Sequence, residues 1–378
     1  LPAWVFDGRT GVHGPDGSWS ATDSALKPRS TLPVYGRQLY PEQVLGEAAP
    51  DAGTTLWEND GVRLWNLPAR DARIGILSFK SKMHSIGEEV LDGVLEAVAR
   101  AERDLDGLVI WHEAPFAVGA NLQQVAEACK AGQFDLLEKT VAKFQQASMA
   151  LKHAMVPTVA AVHGMALGGG CEFVMHATHR VMALESYVGL VEAGVGLIPA
   201  GGGCKEFALR AANMATKAAG GDVFPFIQNM FQTIAMANVS KSALQAVELG
   251  FAKASDDIIF NPRELLHVAI HRARALAETG YQPPLVQRAV QVAGRNGIAT
   301  CEMMLINMKE GGFISAWDYR VARAAATALC GGEVETNAKV SEAWLLDVER
   351  ALFVDLLKTE KTQQRIVHML ETGKPLRN

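Results

Sequence analysis

The chain has 378 residues, 49% of them hydrophobic, which is enough for a sizeable packed core. Its formal net charge of −5, spread over 20% charged residues without a basic stripe, argues against nucleic acid or an anionic membrane surface as partner. It contains no apolar run of about 18 residues, so no membrane span is expected.

Residues 1–55 carry Pro2, Pro15, Pro28, Pro33, Pro41 and Pro50 with little periodicity, and read as an irregular lead-in or connector. The chain starts at Leu1, not Met, so a processed chain or a piece of a longer polypeptide is expected. From there the pattern is regular. Val62–Trp65 and Arg73–Phe79 read as strands, Glu88–Asp104 as a helix with Val90, Leu91, Val94, Leu95 and Val98 on one face, and Leu108–Trp111 as a buried strand. Helices near 122–131 and 135–153 follow, then a strand over Thr158–Val162 and a helix from about Cys171. Strands alternating with helices predict an α/β layered fold with parallel pairing. Residues 211–238 break the rhythm and read as an insertion. Helical signals return at Ser240–Leu249 and Arg263–Thr279 and dominate Leu285–Met369. The predicted division is a core over 56–260 and a helical region over 261–378.

The chemistry concentrates between Val159 and Gly203. In Val162–Glu172 a strand runs into Gly168-Gly169-Gly170, where a ligand can approach the backbone and a helix start offers free N–H groups to negative charge. Glu172 lies on that first turn. The triple glycine is neither a Walker loop nor a dinucleotide fingerprint. In Val191–Gly203, Glu192 sits in an apolar, glycine-rich loop, an environment that raises a carboxyl pKa towards neutrality. A third turn, Pro115–Leu122, supplies another backbone N–H at a helix start.

Together these turns resemble the crotonase (enoyl-CoA hydratase/isomerase) superfamily over roughly residues 60–378. Phe116–Leu122 matches Phe-x-x-Gly-Ala-Asp-Leu except for Asn121. Gly164–Glu172 matches Gly-x-x-x-Gly-Gly-Gly-x-Glu, and Glu192–Gly203 matches Glu-x-x-x-Gly-x-x-Pro-x-x-Gly-Gly. Lys82–Ile86 stands where the family has its CoA loop, with His84 replacing an Asn; Ser242–Gly250 and Thr362–Pro375 resemble the later helices.

The resemblance implies a ClpP-like spiral of strand-strand-helix units with a mostly helical C-terminal region. It implies an oxyanion hole from the N–H groups of Ala120 and Gly169 and an acid/base pair of Glu172 and Glu192. Lys82, His84, Val118, Gly119, Leu122, Met165, Gly168 and Val191 would contact the CoA thioester. Both glutamates present implies hydration of a trans-2-enoyl-CoA to the 3-hydroxyacyl-CoA, a β-oxidation step, with no cofactor of its own. An enoyl-CoA isomerase and a non-catalytic CoA-binding scaffold domain of a larger complex fit the same motifs. The lead-in and tail resemble bifunctional chains in which a 3-hydroxyacyl-CoA dehydrogenase is fused to the hydratase, and NAD would belong to that other domain. The family also implies a homo-oligomer.

Other residues carry blander expectations. His176 and His179 at helical spacing lack further metal ligands, so no metal is expected. Cys171 reads as a small core residue, and Met303, Met304 and Met308 as packing. Lys80 and Lys82 would meet CoA phosphates, with a solvated loop as the equal alternative. The five cysteines, Cys129, Cys171, Cys204, Cys301 and Cys330, form no Cys-x-x-Cys pair and suggest reduced thiols in a cytoplasmic setting.

Overall fold

A computed structural model describes residues 1–7, 12–14, 17–28, 30–38, 53–218 and 221–378. The rest of the predicted lead-in lies outside the described residues. Its described part holds a small antiparallel sheet of His13–Gly14, Gly17–Ser20 and Ala25–Lys27 and a short helix, Pro33–Arg37, whose Gly36 carbonyl accepts from Arg70 (2.6 Å).

The main sheet has seven strands in sequential order: β1 (Thr54–Glu58), β2 (Val62–Leu67), β3 (Asp71–Phe79), β4 (Gly107–Ile110), β5 (Thr158–Leu167), β6 (His179–Gly189) and β7 (Asp257–Ile259). β1, β2 and β3 pair antiparallel, and β3 to β7 pair parallel. Such crossovers need intervening helices, which cover the sheet faces. Alternation along the strands sorts the side chains. Ile74, Ile76, Val109, Val159, Ala161 and Val181 face Leu265, Leu266, Ala269 and Ile270 of one helix, α8 (Leu265–Glu278). Leu77, Phe79, Leu108, Ile110, Ala160 and Val162 face the larger core, built with α1 (Glu88–Asp104), α2 (Leu122–Lys130), α3 (Phe134–His153), α4 (Gly169–His176) and α5 (Gly203–Lys217).

Two differences from the sequence expectations shape the site. β5 does not stop at Val162. Its pairing with β6 shifts register between Val162 and Gly164, where Gly164 has φ +68°, and Gly164–Leu167 continue beside Ser186–Gly189 while Ala166 bridges Ala117. This bent second half delivers the chain to Gly168 (φ +53°, ψ −124°), a conformation that excludes side chains, and the helix begins at Gly169, ahead of Cys171. His179 opens β6 and is not on the helix of His176.

Residues 211–238 hold the end of α5 and all of α6 (Phe224–Ala235). Pro225 lies in α6's first turn, where it is tolerated, and Ile227, Met230, Phe231 and Ile234 are buried at helical spacing. The glycines and the proline hid this period. α7 (Ala243–Glu248) leads to β7. The C-terminal region comprises α9 (Gly294–Glu310), α10 (Ala316–Leu329), α11 (Glu342–Leu357) and α12 (Glu360–Thr372), with a two-stranded ribbon of Val290–Gln291 and Lys339–Val340. No helix among the described residues is long and apolar enough to cross a membrane.

Candidate active site

Three turns converge at the bend of β5. A methyl group on Gly119 would lie 3.1 Å from Leu167 O and 3.5 Å from Gly169 N. One on Gly168 would lie 3.7 Å from Gly119 Cα and 3.3 Å from Glu192 Oε1. The Pro115–Leu122 turn, the triple glycine and Glu192 therefore meet, although they are far apart in sequence. The turn is pinned from two sides. Phe116 N and Ala117 N donate to His163 O and Met165 O (3.0 Å each), and Ile86 N donates to Gly119 O (2.8 Å) while Asn121 N donates to Ile86 O (3.0 Å). In that parallel bridge Ala120 points its own N–H away from Ile86. Gly169, first in α4, has an N–H outside the helical ladder. Among the described residues neither N–H has a backbone partner.

Glu172 is buried, 3% exposed, on the first turn of α4. Its Oε1 accepts from Gly201 N and Gly203 N, both at 2.8 Å. Burial raises its pKa to about 7, against the opposing pull of those N–H donors and the Lys205 charge. Glu192 opens the short 3-10 turn Glu192–Val195 and is half-buried. Its Oε2 is shut off from solvent and has no hydrogen-bond partner among the described residues. Burial, then the Glu172 charge, pushes its carboxyl well above the usual range. Two interacting carboxyls, both raised, thus stand beside two free N–H groups, an arrangement suited to holding a polar reactant and moving a proton while negative charge develops nearby.

The remaining candidates are dispersed around this centre. Val118, Leu122, Met165 and Val191 are half-buried and Gly119 is buried. His84 bonds through Nδ1 to Pro115 O (2.6 Å) and packs on His112, with ring centroids 3.9 Å apart. Lys82 is exposed and makes no hydrogen bond or ion pair with the other candidates among the described residues. Lys80 is engaged by Glu58 (3.1 Å). Asn121, the departure from the motif, caps α2 by accepting from Gln124 N (3.3 Å). Cys171 is buried and its thiol is pushed well up by that burial, consistent with core filling. His176 packs under the site: its Nδ1–H meets Glu172 O (2.6 Å), which leaves Nε2 to accept from Lys205 Nζ (2.8 Å). Among the described residues no group of His, Cys, Asp and Glu could hold a metal ion.

Sequence reading missed several residues here. His112 accepts from Phe79 N (3.3 Å) and donates to Phe116 O, tying β3 to the Ala120 turn. Phe144 of α3 stacks on Phe173 (5.0 Å between centroids) and fills the space against Gly169 and Gly201. Glu349 of α11 approaches from the far end of the chain; burial and Glu172 push its carboxyl up to about 8. A cleft of about 400 Å³ opens between α2 and α12, with Ala126, Cys129, Gln363 and Ile366 in its walls, and none of the predicted site residues lines it.

The fold and these turns define a crotonase-type domain. Residues 72–219 match the enoyl-CoA hydratase/isomerase family. An enoyl-CoA hydratase of Bacillus halodurans shares the fold with a TM-score of 0.53 at 15% identity, over 81% of this chain and 98% of that one. An enoyl-CoA hydratase/isomerase of Mycobacterium paratuberculosis does so with a TM-score of 0.52 at 18% identity, over 82% and 98%. In sequence the chain is 38% identical over 360 residues to a probable 3-hydroxyacyl-CoA dehydrogenase of Bacillus subtilis (strain 168), covering 93% of this chain and 44% of that protein. It is 28% identical over 293 residues to the fatty acid oxidation complex subunit alpha of Idiomarina loihiensis, covering 76% and 37%. The chain thus spans less than half the length of these curated relatives.

Proposed function

We propose that this chain hydrates enoyl-CoA thioesters, adding water syn to a trans-2-enoyl-CoA to give the 3-hydroxyacyl-CoA. The observation that carries the reading is the pair of carboxyls, buried Glu172 with a pKa of about 7 and half-buried Glu192 well above the usual range, beside the free N–H groups of Ala120 and Gly169. The thioester oxygen accepts from those two N–H groups. Water oxygen bonds to C3, one water proton passes to the ionised carboxylate, and the protonated carboxyl delivers a proton to C2 as the enolate collapses. The addition is redox-neutral, so this reading needs no resident cofactor. Both carboxyls are raised and interact, so the pair titrates as a unit, and the addition uses the form with one carboxyl ionised and the other protonated.

Val118, Gly119, Leu122, Met165, Gly168 and Val191 would line the thioester, with Lys82 and His84 towards the CoA moiety. Fusion to a 3-hydroxyacyl-CoA dehydrogenase, which would bring NAD and oxidise the product, is supported by the similarity to a probable 3-hydroxyacyl-CoA dehydrogenase of which this chain covers 44%. A cytoplasmic setting is supported by five free, buried cysteines. Homo-oligomer formation is carried over from the family alone. The test is incubation with crotonyl-CoA and, separately, a 3-enoyl-CoA. The reading predicts loss of enoyl absorbance and a product one water heavier from the first; double-bond migration without hydration would replace it with an isomerase.

A further inference from the structure

The loop Leu190–Gly203 supplies both N–H groups that grip Glu172, and the segment that does so is held at each end by side chains from other parts of the chain. At its start, Gln145 of α3 is buried and its Nε2 donates to Ala200 O (3.0 Å) and to Leu346 O of α11 (2.8 Å). At its finish, Glu349 of α11, wholly buried, accepts from Lys205 N through Oε2 (2.9 Å). Its other oxygen lies 3.3 Å from Gln145 Nε2, and Arg350 Nη1 locks the amide orientation by donating to Gln145 Oε1 (2.6 Å). Gly201 and Gly203 thus sit between two anchored points, Ala200 and Lys205.

We infer that Gln145 and Glu349 are positioning residues for the Glu172 carboxylate: together they clamp the Gly201–Gly203 segment so that its two N–H groups stay aimed at Oε1. The inference rests on the proposed hydratase reading for its kinetic consequence, but its geometric content concerns Glu172 alone. It also gives α11, which lies outside the matched family segment, a direct part in the site. Buried polar groups hold a segment in place when they are paired; the two Gln145 Nε2 hydrogens serve Ala200 O and Leu346 O, its Oε1 serves Arg350, and Glu349 Oε2 serves Lys205 N. Displacing a reacting group by about 1 Å costs on the order of a hundredfold in rate. The charged and titratable groups around Glu172 are Cys171 and His176 on α4, Cys204 and Lys205 on α5, Glu192 in its turn and Glu349 on α11; α3 presents the uncharged Phe144 and Gln145, and its Lys152 joins Lys205 through Glu206. The N–H donors hold the ionised form of Glu172, so loosening them raises the pH at which it ionises.

The test combines an infrared difference titration of buried carboxyls between about pH 6 and 9, with the Glu172 band assigned by its loss in Glu172→Gln, and crotonyl-CoA kinetics across the same range. Gln145→Leu should lower kcat roughly tenfold to a hundredfold with KM within about threefold, and should move both the Glu172 band and the acid limb of kcat/KM to higher pH. Glu349→Leu should lower kcat comparably, while Glu349→Gln, which keeps an acceptor for Lys205 N, should retain kcat within about threefold. Melting curves identify variants that fail to fold, and Gln145→Asn, which shortens the donor arm, then replaces Gln145→Leu. Wild-type kcat and titration in the Leu variants, or equal damage from Glu349→Gln, would overturn the clamp. A Glu172 band that shifts in the Leu variants of a protein whose wild type does not hydrate crotonyl-CoA would instead overturn the hydratase reading and keep the clamp.

Discussion

A carboxyl that is buried with only two backbone donors holds its proton far more tightly than one in an unfolded chain. For Glu172 the folded pKa of about 7 lies above the ordinary value of 4.5 that it has in an unfolded chain. The folded state therefore binds the extra proton, and the stability this contributes is fully present below the unfolded value and lost as pH rises through the folded one. Ionisation costs the fold about 3 kcal/mol at pH above 7. Glutamine keeps an acceptor for Gly201 N and Gly203 N and cannot ionise. Glu172→Gln is thus expected to gain about 2–3 kcal/mol relative to wild type on going from pH 5.5 to 8.5, measured as the difference in urea-unfolding free energy at the two pH values. A pH-independent difference between the proteins would mean that Glu172 is not forced to ionise inside the core.

At the scale of elements, the site is a meeting of turns, and Gly168 is the residue that lets them meet. Its φ of +53° with ψ −124° is open to glycine alone, and its Cα faces the Glu192 carboxyl. Gly168→Ala should therefore cost roughly 1–3 kcal/mol of stability through backbone strain and displace Glu192, with a larger loss in kcat than in fold, read by parallel melting and turnover measurements. Much at this scale was legible in the sequence. Apolar periodicity located α1 and β3 to β5, because each buries one face or one run of side chains; the glycine turns marked where the backbone must come close. What was not legible has a common physical origin. The bend of β5 depends on pairing with β6, the helix α6 hides its period behind Gly221 and Pro225, and His112, Phe144 and Glu349 are placed by contacts with Phe79, Phe173 and Gln145 across tens to hundreds of residues. Local pattern carries no trace of such contacts. His179 was misplaced because spacing from Glu172 continues through the helix end at His176 into β6.

Across the whole molecule, the C-terminal helices close over the Glu192 turn. Thr362 Oγ1 of α12 donates to Gly196 O (2.8 Å), and a methyl group on Gly196 would touch Arg365 Cδ and Thr362 Oγ1, both at 3.0 Å. Arg365, buried, pairs with Asp318 of α10 at 2.8 Å. Beneath the site, Lys152 and Lys205 bind Glu206 and Glu342 at 2.5–3.2 Å, joining α3, α5 and α11 through a buried ionic cluster. The matched family segment ends at residue 219, yet the helices beyond it contribute the roof over Glu192 and the support behind Glu172. The two carboxyls are therefore held by contacts from the whole chain, and on the proposed hydratase reading they should fail together. The most direct measurement is the turnover of crotonyl-CoA hydration by wild type, Glu172→Gln and Glu192→Gln. Each single variant is expected to lose about 10²- to 10⁴-fold in kcat; wild-type turnover in either one would contradict the paired-carboxyl account.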